Sequence, residues 1–70
     1  MPNHEELGNR LKEFRKTEGL TQADLAAKVQ VSRKTINTVE NGIFVPSTIL
    51  ALKLARALKT KVESLFQLRD

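Results

Sequence analysis

Leu20-Thr-Gln-Ala-Asp-Leu-Ala-Ala-Lys-Val-Gln-Val-Ser-Arg-Lys-Thr-Ile-Asn-Thr-Val-Glu-Asn-Gly42 is the stretch that decides the fold. Thr21 and Asp24 have the spacing of an N-terminal capping box, with Leu20 ahead of them as a hydrophobic staple. A helix over Gln22 to Val29 follows and buries Leu25, Ala26 and Val29. It is rich in alanine, so another helix can approach closely. Only Gln30 and Val31 separate it from Ser32, a second N-cap. The helix from Ser32 to Glu40 turns Ile36 and Val39 inward and carries polar residues over the rest of its surface. Asn41-Gly42 stops it. Two such short helices joined by so brief a turn must cross steeply, which makes a helix-turn-helix unit.

Working outward, a first helix is predicted from about Glu5 to Glu18, with Leu7, Leu11 and Phe14 at helical spacing. Glu5 and Glu6 lie in its first turn, and Gly19 stands where a left-handed C-cap belongs. Downstream, Ile43-Phe-Val-Pro46 is an apolar loop. Pro46-Ser47 opens a fourth helix, about Ser47 to Leu58, with Leu50, Ala51, Leu54, Ala55 and Leu58 as its core stripe. A last short helix covers about Lys61 to Phe66. There is no repeat, no low-complexity segment and no strand-like alternation. The fold class is therefore all-α, five helices in one domain over residues 1–70, with its core at about 5–66.

The 70 residues leave no room for a second core or an enclosed cleft. A core this small supplies only about 3–5 kcal/mol, so packing must be efficient or a second chain must help. With no cysteine, a disulfide framework and a thiolate metal site are excluded, as fits a reducing compartment. No apolar run is long enough for a membrane span, and the N-terminus does not read as a signal peptide, so a cytoplasmic protein is expected. The net charge of +4 and pI near 9.9 favour a polyanionic partner, the plainer explanation being solubility. Three Phe with no Trp or Tyr argue against stacking platforms for single strands. His4 is the only histidine and lacks a companion for a metal; we read it as solvent-exposed. Ser32 and Ser64 lack a His or Asp to activate them. No catalytic residue, metal, cofactor or small-molecule ligand is called for.

The quoted stretch, continued through Pro46-Ser47, Leu52-Lys-Leu-Ala-Arg-Ala-Leu58 and Leu65-Phe66, resembles the Cro/repressor-type (Xre-like) helix-turn-helix regulators from Leu7 to Phe66. Three positions depart from that pattern. Gln30 and Lys59 stand where the family often has glycine, so positive φ is expected at Gln30. Lys61 replaces a common capping serine.

The resemblance implies a phage-repressor-like domain that reads double-stranded DNA with the helix at about 32–41. It places Arg33, Lys34 and Thr38 on the base-contacting positions, with Asn37 beside them. The chemistry agrees: Arg33 and Lys34 can donate to guanine, Asn37 can pair with adenine, and Thr38 offers a hydroxyl and a methyl. The plainer alternative is the solvated face of a surface helix. Ser32, at the free end of the reading helix, favours a nearby phosphate. Gln22 resembles the residue that clamps a phosphate and braces the reading helix, or is simply the first residue after its cap. Asn41 and the backbone around Gly42 and Ile43 resemble a second phosphate clamp, a role compatible with a C-cap. The resemblance also pairs Glu40 with Arg15, leaving Arg15 able to donate toward the DNA backbone; the alternative is a solvent-exposed Glu40.

Ile49 and Leu52 project from the fourth helix away from its core stripe. With Val62, and Leu68 as a further candidate, they suggest an isologous homodimer on a palindromic operator. Otherwise they rest against the loop of residues 43–45 or the tail. The leading function is a sequence-specific transcriptional regulator, most simply a repressor, associated with the nucleoid through DNA. Alternatives are an antitoxin that autoregulates by DNA binding, which a neighbouring toxin gene would favour, and a protein-interaction adaptor that does not read DNA, which absence of a steep salt dependence in duplex binding would favour.

Overall fold

The computed structural model describes residues 6–69; His4 and Glu5 lie outside them. Five helices pack around one core: α1 (Leu11–Thr17), α2 (Gln22–Val29), α3 (Arg33–Glu40), α4 (Thr48–Ala57) and α5 (Val62–Leu65). Leu11, Leu25, Ile36, Leu54 and Leu65, one from each helix, are completely buried. The α2–α3 unit lies within a residue of its predicted bounds because both starts are locally encoded. Thr21 and Asp24 form a reciprocal capping box, and the Ser32 hydroxyl accepts from the Thr35 N–H. Ser47 caps α4 in the same way, through the Leu50 N–H. Ala51 is half-buried rather than part of the sealed core.

The two ends of the chain correct the sequence reading. Leu7–Asn9 is not helical: it forms strand β1, antiparallel to β2 (Phe66–Leu68), with Leu7 opposite Leu68, Gly8 opposite Gln67 and Asn9 opposite Phe66. The Arg10 N–H donates to the Leu65 carbonyl and the Arg69 N–H to that of Glu6, both at 2.8 Å, extending the pairing. Asn9 explains why α1 does not start earlier. Its Oδ1 accepts from the Leu11 N–H at 3.2 Å, and its Nδ2 donates to the Val39 carbonyl at 3.1 Å. A side chain that bonds its neighbouring backbone competes with helix at that point. The predicted helix at Lys61–Phe66 is correspondingly shortened to four residues, its end drawn into β2. These strands are an addition to the helical core and leave its five-helix plan intact.

Candidate nucleic-acid interface

Glu40 ends α3, and its carboxylate is 3 % exposed. So deep a charge must find donors or it destabilises the fold strongly. Arg15, itself buried on α1, donates through Nε to Oε2 at 2.6 Å and through a terminal nitrogen to Oε1 at 3.3 Å. Its other terminal nitrogen donates to the Leu20 carbonyl at 2.8 Å. The guanidinium thus ties α1 to the end of α3 and to the turn before α2. Gln22 supplies a further donor, Nε2 to Glu40 Oε1 at 3.1 Å, and its Oε1 accepts from Arg33 at 3.0 Å. Arg33 is therefore reached from the buried pair through one amide. Because an amide nitrogen carries two hydrogens, Gln22 keeps a second N–H for another acceptor.

The four residues assigned to base contact differ in readiness. Arg33 and Lys34 are exposed on the first turn of α3, while Asn37 and Thr38 are half-buried one turn later. Thr38 Oγ1 donates to the Thr35 carbonyl at 3.0 Å, so its hydrogen points back into the helix and its lone pairs and methyl remain. Asn37 Oδ1 accepts from the side-chain amide of Asn41. A second lone pair remains on Asn37 Oδ1, so this contact does not forbid two-pronged pairing with adenine.

The backbone beyond α3 is less free than the resemblance implies. The N–H groups of Asn41, Gly42, Ile43 and Phe44 donate to the carbonyls of Asn37, Val39, Thr38 and Thr38 respectively. They close the helix end, so a phosphate there would meet the remaining side-chain N–H of Asn41 rather than main-chain donors. Ser32 Oγ accepts from the Thr35 N–H and shares a hydroxyl–hydroxyl hydrogen bond of 3.0 Å with Thr35. Sequence reasoning missed Asn9, which braces α3 through Val39. The available signal was an Asn two residues ahead of an apolar helix start, a common side-chain-to-backbone turn. Asp24 is held below the usual carboxylate range by hydrogen bonds from the Thr21 backbone N–H and hydroxyl, with Lys28 adding to the effect.

Away from α3, Ile49 is 68 % exposed, Leu52 57 % and Leu68 82 %, so neither the loop of residues 43–45 nor the tail covers them. Val62 is half-buried. Leu52 and Val62 border a groove of about 590 Å³, whose lining also includes Leu7, Val45, Phe66 and the charged Glu63. Ile43, Phe44 and Val45 add further exposed apolar surface.

Comparison with known proteins finds relatives in sequence and in fold. A family model described as helix-turn-helix matches residues 11–65. An uncharacterized HTH-type transcriptional regulator of Methanocaldococcus jannaschii is 45% identical over 62 residues, covering 89% of this chain and 94% of the relative. A counterpart from Bacillus subtilis is 40% identical over 62 residues, with the same two coverages, 89% and 94%. Among solved structures, the restriction-modification controller protein C.AhdI of Aeromonas hydrophila superposes with a TM-score of 0.74 at 36% identity, over 79% of this chain and 83% of its own. The biofilm regulator SinR, in complex with DNA, superposes with a TM-score of 0.73 at 27% identity, over 79% of this chain and 89% of its own.

Proposed function

Because the chain belongs to the helix-turn-helix family of DNA-binding, non-enzymatic transcriptional regulators, we propose that it reads a DNA major groove with α3 and represses by occupying its operator. The observation that carries this reading is the chain of contacts from Arg15 through Glu40 and Gln22 to Arg33. It anchors the base of the reading helix in the core and steadies a guanidinium at its exposed tip. A long flexible side chain loses rotamer freedom when it binds, so one already steadied loses less. Arg33 and Lys34 read guanine edges, with Asn37 and Thr38 contributing one turn further on. Gln22, through its second amide hydrogen, and Asn41 hold flanking phosphates and set register. Arg15 stands behind them as the brace for Glu40, and Ser32 fixes the start of α3. The protein acts in the cytoplasm, at the nucleoid.

The exposed Ile49 and Leu52, with Val62 and the adjoining groove, support a homodimer. The same patch holds projecting side chains and a hollow, as an isologous contact requires. Two copies would place their reading helices about 34 Å apart, on successive major grooves of a palindrome.

Selection of bound duplexes from a random pool tests both parts. An inverted repeat with half-sites about one helical turn apart supports the dimer, and absence of any enriched sequence overturns base reading. On the selected operator, Arg33→Ala is expected to cost about 1–3 kcal/mol and relax preference at one base pair per half-site. Uniform weakening across sequences would make Arg33 a phosphate contact. Sedimentation that finds only monomer at high micromolar concentration, with monomeric half-site binding, would remove the dimer.

A further inference from the structure

A second cationic feature shares no residue with the DNA-contact set. Lys28 in the last turn of α2, Gln30 just beyond it, and Lys53, Arg56 and Ala57 on α4 line a hollow of about 330 Å³. Three cations face one concavity, and among the described residues no carboxylate lines it. Asp24, one turn before Lys28 on α2, spends a carboxylate oxygen on the Thr21 N–H at 2.9 Å. Among the described residues, the ion pairs formed by other cations do not involve Lys28, Lys53 or Arg56.

Helix dipoles account for part of this charge. Lys28 and Arg56 each sit in the last turn of a helix, where a cation is favourable. Lys53 lies in the middle of α4 and has no such reason to be there. Gln30 ends α2 in the left-handed conformation, φ +63°, that the turn into α3 uses and that glycine would adopt without strain. Its Oε1 lies 3.5 Å from Lys53 Nζ, which orients the side-chain amide on the rim and leaves its own N–H groups to donate.

We propose that this hollow binds a small, multiply charged oxyanion of the phosphate-ester or polycarboxylate class. Arg56 supplies a planar fork for one oxyanion group, Lys28 and Lys53 supply point charges, and the Gln30 amide donates from the rim. The volume lies at the lower end of the range for small-ligand sites. Gln30 stands two residues before the Ser32 cap, so an occupant sits against the turn from which the reading helix starts.

The test uses the isotopically labelled full chain titrated with inorganic pyrophosphate at constant ionic strength. Saturating amide shifts are expected at Lys28, Gln30, Lys53 and Arg56. The double variant Lys53→Gln, Arg56→Gln should bind at least about tenfold more weakly while melting at an unchanged temperature. Shifts that never saturate, or that appear equally at Arg33 and Lys34, would reduce the effect to general screening and overturn the proposal. Duplex titrations of the same variant identify the other phosphate source. If its affinity for the operator falls and its log–log salt slope shrinks by about 1 to 2, the hollow is a DNA-backbone contact and the small-ligand site is refuted.

Discussion

The α2–α3 and α4–α5 junctions are built to one backbone plan and have different outcomes. In each, a non-glycine residue takes the left-handed conformation after the helix, Gln30 at φ +63° and Lys59 at φ +58°. In each, the next N–H reaches back five residues, Val31 to the Ala26 carbonyl and Thr60 to that of Ala55. The following helices then diverge. Ser32 caps α3 through its hydroxyl, whereas Lys61 makes no side-chain cap for α5. At its far end α3 is pinned by the Arg15–Glu40 pair, whereas α5 gives way to β2 after Leu65. A shared turn therefore does not determine the helix after it. The cap at one end and the anchor at the other decide whether eight residues or four stay helical.

The anchor is where the contrast breaks most severely. Glu40→Ala leaves the Arg15 guanidinium buried and unpaired, and is expected to cost about 3–5 kcal/mol by chemical denaturation. Replacing both partners, as Arg15→Met with Glu40→Leu, should recover most of that loss, because it is unpaired burial rather than loss of attraction that destabilises. A double variant as unstable as the single one would refute this account. A smaller effect comes from the caps. Ser32→Ala should cost about 1 kcal/mol, and Lys61→Ser should return a similar amount and lengthen protection of α5 against hydrogen exchange.

Smaller again is the strain the junctions share. Lys59→Gly should stabilise by about 0.5–1 kcal/mol, because glycine removes the left-handed penalty at the cost of some chain entropy. Gln30→Gly should gain a similar amount, since each replacement gives up one exposed contact, Gln30 with Lys53 and Lys59 with Glu18. A loss of stability at either position would show that its contact outweighs the strain. The slightest effect concerns the start of α2. With its pKa lowered by the Thr21 hydrogen bonds, the charged Asp24 stabilises the fold above the ordinary carboxylate value near 3.8. That contribution fades as pH falls through the lowered value. Thermal melts between pH 5 and pH 2 should therefore decline slightly less in Asp24→Asn than in the parent chain.

Short-range chemistry accounts for most of what the sequence disclosed. Thr21, Ser32 and Ser47 are caps whose partners lie three residues on, so helix starts were legible to within a residue. The apolar spacing of Leu25, Val29, Ile36 and Val39 identified the packed faces, and all four are buried. Leu7 stands at helical spacing from Leu11 and misled, because spacing reports which residues are apolar and not which segment pairs with them. The amide of Gln22 was readable as a brace, yet nothing local indicated that it bridges Glu40 and Arg33. Main-chain N–H groups near Gly42 looked available for phosphate, since closure of the helix end on Thr38 is a three-dimensional event.

By itself, then, the sequence determined the five helices, the cap residues, the buried faces and the family resemblance. Each of these is encoded within about two turns of chain, where propensity and periodicity act. Only the tertiary structure decided that the two ends form a sheet. Strands of three residues carry too little periodicity to be recognised, and their stability comes from partners some sixty positions apart in the chain. Tertiary packing alone also set the long-range polar contacts, Asn9 on Val39 and Gln22 between Glu40 and Arg33. Such bonds depend on where two remote side chains come to rest, which the packing of the core settles first.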